Sequence, residues 1–234
     1  MNRLGTPAQV FVILVGVLLP ALAWRSRKRF KADAPGPPIT RRQYYGSAFF
    51  LQFATLFLAL LVARDVGMEL LGPFRVEPLV WLATAVVFGA LLATLPARWR
   101  SRSSDSRRRH ALIAPRTAPQ AAVNAALCVL AGVGEEITWR RVLHECLWWA
   151  TGSWWIATLF CSLSFGVAHA IQGRRSMLII AGVALWMHLT VLWTGSLYLA
   201  IVVHAVYDLI ATFAMARWVR REETAAGVPV EGSR

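Results

Sequence analysis

The chain has 234 residues, of which 57% are apolar and only 16% charged, and its 25 Lys and Arg against 12 Asp and Glu give a net charge of +13. A soluble domain carries about 25% charged residues, so an ordinary water-exposed globule is excluded. The basic residues stand in short blocks between uncharged stretches, as in loops kept on one side of a bilayer, and the block Arg107-Arg108-Arg109 lacks the interleaved aromatics of a nucleic-acid surface, so no nucleic-acid partner is expected.

The first apolar run, Ala8 to Trp24, is followed rather than preceded by its strong basic cluster, Arg25 to Lys31. That order is the reverse of a signal peptide and predicts an uncleaved transmembrane helix. The Pro/Gly segment Ala34-Pro35-Gly36-Pro37-Pro38 breaks any helix there. Six more runs follow: Tyr44 to Ala63, Pro78 to Leu95, Gln120 to Val133, Trp154 to His169, Met177 to Trp193 and Leu197 to Ala216. Most approach the ~20 residues a helix needs to cross the hydrocarbon core, and lipid forces them to be helical because it offers unpaired backbone groups no partner. The expectation is an all-α polytopic bundle of about seven spans, six to eight. Residues 1–119 are supporting spans and basic loops, 120–216 the working core, and 217–234 a flexible tail.

With seven spans and an outside N-terminus, the basic blocks 25–42, 97–116, Arg174-Arg175 and Arg217 to Arg221 all fall on the cytoplasmic side of an integral membrane protein, while 64–77 falls outside. Trp148, Trp149, Trp154 and Trp155 read as an aromatic belt at the outer interface, and the Arg107 block as a topology signal or a lipid-headgroup contact. Cys128, Cys146 and Cys161 lie in or beside apolar segments and read as small buried hydrophobes, neither disulfides nor a zinc knuckle.

An ionisable side chain at mid-bilayer costs about 2.5–3.5 kcal/mol, so such residues are rare unless they pair or work. They concentrate in the second half: Glu135, Glu136, Arg140, His169, His204 and Asp208. Glu136 and Arg140 are four apart, share a helix face and can pair; Glu135 points about 100° away and is left free of that pair. His204 and Asp208 also share a face, and so do Phe165 and His169. Three polar faces that avoid lipid turn toward one another, which predicts a polar cavity inside the bundle. A carboxylate and an imidazole sharing one water, opposite a second imidazole that donates to an oxyanion, are the parts peptide-bond hydrolysis requires. Phe165 reads as packing, and His188, also mid-span, as structural or pore-lining.

Gly134-Glu135-Glu136-Ile137-Thr138-Trp139-Arg140, Phe165-Gly166-Val167-Ala168-His169 and His204-Ala205-Val206-Tyr207-Asp208 match EExxxR, FxxxH and HxxxN/D in order. In these motifs the chain resembles the CAAX-protease and bacteriocin-processing (CPBP, ABI) family over roughly residues 120–216. The resemblance implies a metal-independent glutamate protease acting on a membrane-associated peptide or protein. Glu135 would be the general base, sharing the attacking water with His169. Glu136 would support it with Arg140, and His204 and Asp208 would form the oxyanion side. A carboxylate donates only when protonated, so Asp208 either does so or orients His204. The short chain resembles the bacterial branch, which suggests a bacterial plasma membrane. Two other readings stay open: a metalloenzyme with Glu135, His169 and His204 on zinc, and a non-catalytic chaperone or immunity-type protein on the same scaffold. Other intramembrane proteases fit worse: His144-Glu145 is not followed by a second histidine one turn on, and Gly195-Ser196 lacks the surroundings of a rhomboid serine. One expectation conflicts with the rest. Glu135 lies about 15 residues into its span and His169 at the end of the next, so straight helices at ~1.5 Å per residue put the two at different depths.

Overall fold

A computed structural model describes residues 4–30 and 39–226, and among them there is no strand. The helices are α1 (Thr6–Arg29), α2 (Arg41–Asp65), α3 (Pro78–Arg100), the short α4 (Ser104–Ile113), α5 (Ala118–Thr151), α6 (Trp154–Ala168), α7 (Arg174–Thr194) and α8 (Tyr198–Ala225). Six of them, all but α4 and α6, are long and apolar enough to cross a membrane. With its 15 residues α6 covers only about 22 Å at ~1.5 Å per residue, short of the ~30 Å hydrocarbon core. The bundle's outer face is apolar, with Phe50, Leu79 and Leu178 among its most exposed side chains. In water such a surface would aggregate; against lipid it needs no cover.

Local chemistry sets the helix ends. Thr40 and Gln43 form a reciprocal capping box at the start of α2, and Thr117 caps α5 by accepting from the Gln120 N–H. Helix α5 stops at Gly152, whose φ of 68° suits a residue without Cβ, and the next residue, Ser153, caps α6 by accepting from the Ile156 N–H. A two-residue turn therefore folds α6 back along α5. In α1 the backbone widens into a π-helical stretch, Leu14–Leu18, just before Pro20. Pro20 has no N–H to offer the Gly16 carbonyl one turn earlier, and Ser164 of α6 donates its hydroxyl to that carbonyl instead. The orphaned acceptor thus becomes the pin between α1 and α6.

Two glycines permit close helix contact. A Cβ at Gly132 of α5 would lie 2.7 Å from Ala205 Cβ and 2.9 Å from its backbone N on α8. One at Gly166 of α6 would lie 2.7 Å from the Met177 carbonyl of α7. The main core gathers Phe11 and Val15 of α1, Ala59 and Val62 of α2, Trp139, Val142 and Leu143 of α5, Cys161 and Phe165 of α6, and Leu197. Cys128, Cys146 and Cys161 are all buried and free.

The fourth apolar run does not end near Val133. Helix α5 has 34 residues and continues through Glu135, Glu136, Arg140 and His144 to Thr151, because Glu136, Arg140 and His144 are buried inside the protein rather than turned to lipid. The tail also differs from expectation. Helix α8 runs on to Ala225, and its end is tied down: Arg107 pairs with Glu222 at 2.8 Å, Arg116 pairs with Glu223, and Trp99 Nε1 donates to Glu222 at 2.9 Å. The Pro/Gly segment 34–38 and residues 227–234 lie outside the described residues. Arg41 donates to the carbonyls of Leu112 and Ala111, which joins the start of α2 to the end of α4. The basic ends of α2, α3, α4 and α8 thus meet at one end of the bundle. Trp148, Trp149, Trp154 and Trp155 cluster at the α5–α6 turn.

The closeness of α5 and α8 makes Gly132 sensitive. Gly132→Ala must push the helices apart, and overpacking of this kind costs about 1–3 kcal/mol. It is expected to lower the melting temperature in detergent. Gly89→Ala, whose added carbon meets nothing within 4 Å, is expected not to lower it. Equal melting temperatures for the Gly132→Ala variant and the wild type would contradict the close contact.

Candidate active site

From Glu136 to Leu143 the α5 backbone is π-helical, a widened geometry that is frequent at functional positions. It carries Glu136 and Arg140 on one side, paired at 2.9 Å, with the two side chains 0% and 2% exposed. His204 Nδ1 of α8 donates to the same Glu136 oxygen at 2.6 Å. The Arg140 guanidinium lies 4.4 Å from the Phe165 ring centre of α6, a cation–π contact. One buried carboxylate therefore gathers groups from three helices.

Glu135 faces another way, as the helical offset requires. Gln52 of α2 donates to its Oε1. Its Oε2 is buried and without a hydrogen-bond partner, and lies 3.9 Å from His169 Nε2 and 3.7 Å from His204 Nε2. His169 Nδ1–H donates to the Phe165 carbonyl at 2.8 Å, which fixes the tautomer and leaves the Nε2 lone pair turned to Glu135. Phe165 packs on His169, ring centres 4.5 Å apart, and meets His204 edge-on. Asp208 Oδ2 lies 3.5 Å from His204 Nε2. All six polar residues singled out in the sequence thus meet in one place. A gap of 3.9 Å between two acceptors is too wide for a direct bond, and one water at ~2.8 Å from each fits it.

The depth conflict is resolved by the long α5. Gly152 is seventeen residues after Glu135 and seventeen before His169. Since α5 and α6 run antiparallel from that turn, equal counts bring the two residues to one level.

The site opens into a cavity of about 310 Å³. Asn124, Cys128, Ala131 and Glu135 line it along α5, and His204, Asp208, Ala211 and Met215 along α8, each at helical spacing. Arg98 near the end of α3, and Arg102 and His110 from the basic segment that follows it, also line it. Arg98 Nη2 donates to the Leu91 carbonyl at 2.6 Å and to Tyr207 Oη at 3.0 Å. Arg102 Nη1 donates to Ser106 Oγ at 3.1 Å. Burial, and next the positive charge of Arg98, hold Arg102 below the ordinary guanidinium value. Burial, and next the charge of Arg102, push His110 down to about 4, although its Nδ1–H donates to the Ser106 carbonyl at 2.6 Å. His110 is therefore neutral at pH 7.

Sequence reasoning missed Gln52, Arg98, Arg102 and His110. Gln52 is a lone amide inside an apolar span, a weak signal that motif spacing does not reach. The arginines read as topology signals because charge blocks do not reveal which members turn inward. His188 is buried with its ring 4.9 Å from that of His144, which in turn bonds Thr158 at 2.9 Å. Among the described residues no group of three or more His, Cys, Asp or Glu is arranged to hold a metal ion.

A bundle of apolar helices enclosing two glutamates and two histidines around a buried cavity defines a polytopic membrane protein with an internal carboxylate–imidazole centre. Residues 117–210 match the family model described as type II CAAX prenyl endopeptidase Rce1-like, a segment that holds all three motifs. Over these 94 of the 234 residues the chain is similar to that endopeptidase family. No curated protein and no solved structure matches the chain.

Gln52 stands outside the matched segment yet holds Glu135. Gln52→Leu is expected to lower kcat by about ten- to a hundredfold, the usual cost of losing an orienting partner, with KM and melting temperature little changed. An unchanged kcat would contradict the positioning role.

Proposed function

We propose that the chain is an intramembrane endopeptidase in which Glu135 and His169 activate the water that attacks a peptide bond of a membrane-associated substrate. The observation that supports this most directly is the buried, unpartnered Glu135 Oε2, 3.9 Å from the free face of His169. A water there donates to both acceptors and turns its own lone pair to the cavity.

In the attack, the water oxygen bonds to the scissile carbonyl carbon and Glu135 takes a proton. The carbonyl oxygen gains negative charge, which His204, protonated on both ring nitrogens between Glu136 and Asp208, stabilises through Nε2–H. Glu136 holds His204 by its other nitrogen, and Arg140 balances the charge of Glu136. Asp208, 3.5 Å from His204 Nε2, acts by orienting that ring. When the intermediate collapses, the C–N bond breaks and Glu135 returns its proton to the leaving amine. Lipid and the surrounding apolar side chains keep bulk water from the intermediate.

This mechanism uses no metal. The family's description points to CAAX-type substrates, and the cavity of about 310 Å³ accommodates a short extended peptide segment. The gathered basic ends support an orientation with that face toward the cytoplasm, where a peripheral or lipidated substrate would enter. A bacterial plasma membrane is the location that fits the resemblance.

The test uses the purified chain in lipid nanodiscs with prenylated and unprenylated CAAX peptides, and mass spectrometry of the products. Glu135→Gln is expected to lower kcat by about 10²–10⁴, the usual contribution of a positioned base, and a chelator is expected to leave the wild type active. Activity that survives Glu135→Gln would remove hydrolysis at this centre. Activity lost to the chelator and restored by Zn²⁺ would instead make Glu135, His169 and His204 metal ligands.

A further inference from the structure

The cavity that holds Glu135, Glu136, Arg140 and Asp208 is lined by two further arginines, Arg98 and Arg102. Among the described side chains neither arginine has a carboxylate within ion-pair distance. Glu222 and Glu223 are already engaged, with Arg107 and Arg116. The Nε atoms of Arg98 and Arg102 are buried without a hydrogen-bond partner. Their other bonds are to neutral groups: the Leu91 carbonyl, Tyr207 Oη and Ser106 Oγ. Two guanidinium groups placed together repel, and partly buried ones lose solvation as well, so the pair is poorly satisfied unless an anion joins it. His110 beside them is buried and neutral, which keeps the pocket wall from adding a third charge.

We propose that Arg98 and Arg102 form an anion subsite that binds a carboxylate of the peptide whose scissile bond lies at Glu135. The inference rests on the peptidase reading for its ligand, but the two arginines lie outside the matched segment 117–210 and the subsite is a feature of this chain. The carboxylate is at a C-terminus or on an acidic side chain. Guanidinium is suited to this task because its planar donors match a carboxylate's two oxygens.

Binding separates this proposal from the hydrolysis reading. A dye-labelled pool of apolar decapeptides is prepared as the free acid, as the C-terminal amide, and as the amide with one internal Glu. Each is bound to the full chain in nanodiscs, both as wild type and as Glu135→Gln, and cleavage is read separately. The acid, the Glu-containing amide or both are expected to bind about tenfold more tightly than the plain amide, the scale of one charge-assisted bond; which of them does so identifies the carboxylate. Arg102→Gln is expected to bring that ratio to near one and Arg102→Lys to restore part of it; Arg98→Gln serves the same purpose if the Arg102→Gln variant does not fold. Equal binding of all three forms by the wild type, including no binding of any, overturns the subsite. So does a ratio that survives both glutamine substitutions. Retention of phosphatidylglycerol over phosphatidylcholine that is lost in Arg102→Gln, with the peptide ratio unchanged, assigns the arginines to lipid phosphate and also overturns it. A carboxylate preference without cleavage leaves the subsite standing and removes the peptidase mechanism.

Discussion

A carboxylate with no solvent exposure cannot stand alone inside a membrane protein, and the arrangement of the core follows from how Glu136 is satisfied. Its charge is met by Arg140 at 2.9 Å and its oxygen by His204 at 2.6 Å. Removing Arg140 would leave a buried charge uncompensated, a loss of about 3–5 kcal/mol in comparable pairs. The bond to His204 fixes α8 against α5. Arg140, drawn to Glu136, lies against Phe165 and so fixes α6. The π-helical stretch from Glu136 to Leu143 presents these groups on one side. Gly132 and Gly166 let the backbones approach closely enough for such short bonds.

With that frame set, Glu135 has few choices. It is the neighbour of the fixed residue, turned to another face, and its two oxygens meet different surroundings. One is held by Gln52 and the other is left bare between two imidazoles. The tight turn at Gly152-Ser153 measures His169 to the same level, seventeen residues on each side. The proposed chemistry needs this division of labour: one glutamate spent on structure so that the other can remain incompletely satisfied.

Much of this was legible in the sequence, because the cost of charge in lipid makes each intramembrane polar residue conspicuous. The helical class, the span count within its range, the Glu136–Arg140 pair and the meeting of the three motifs follow from spacing and the need to hide polar groups. The end of α5 was not legible, since a hydropathy run stops at the first carboxylate whether that carboxylate faces lipid or protein. The α8 extension was missed for a related reason: Glu222 and Glu223 look like a solvated tail until Arg107 and Arg116 are seen beside them. Gln52 and the inward-turned Arg98 and Arg102 depend on tertiary packing between helices far apart in sequence, which local pattern does not carry. The two arginines also add to the cavity wall a cationic part that the motifs alone do not suggest.

The central claim is that Glu135 and His169 act on one water as a single unit. A double-mutant cycle on kcat/KM with Glu135→Gln, His169→Ala and the pair tests it most directly. Residues that serve one step together are strongly non-additive, so the account predicts that the double variant is scarcely slower than the worse single one. Losses that multiply, as for independent groups, would contradict it.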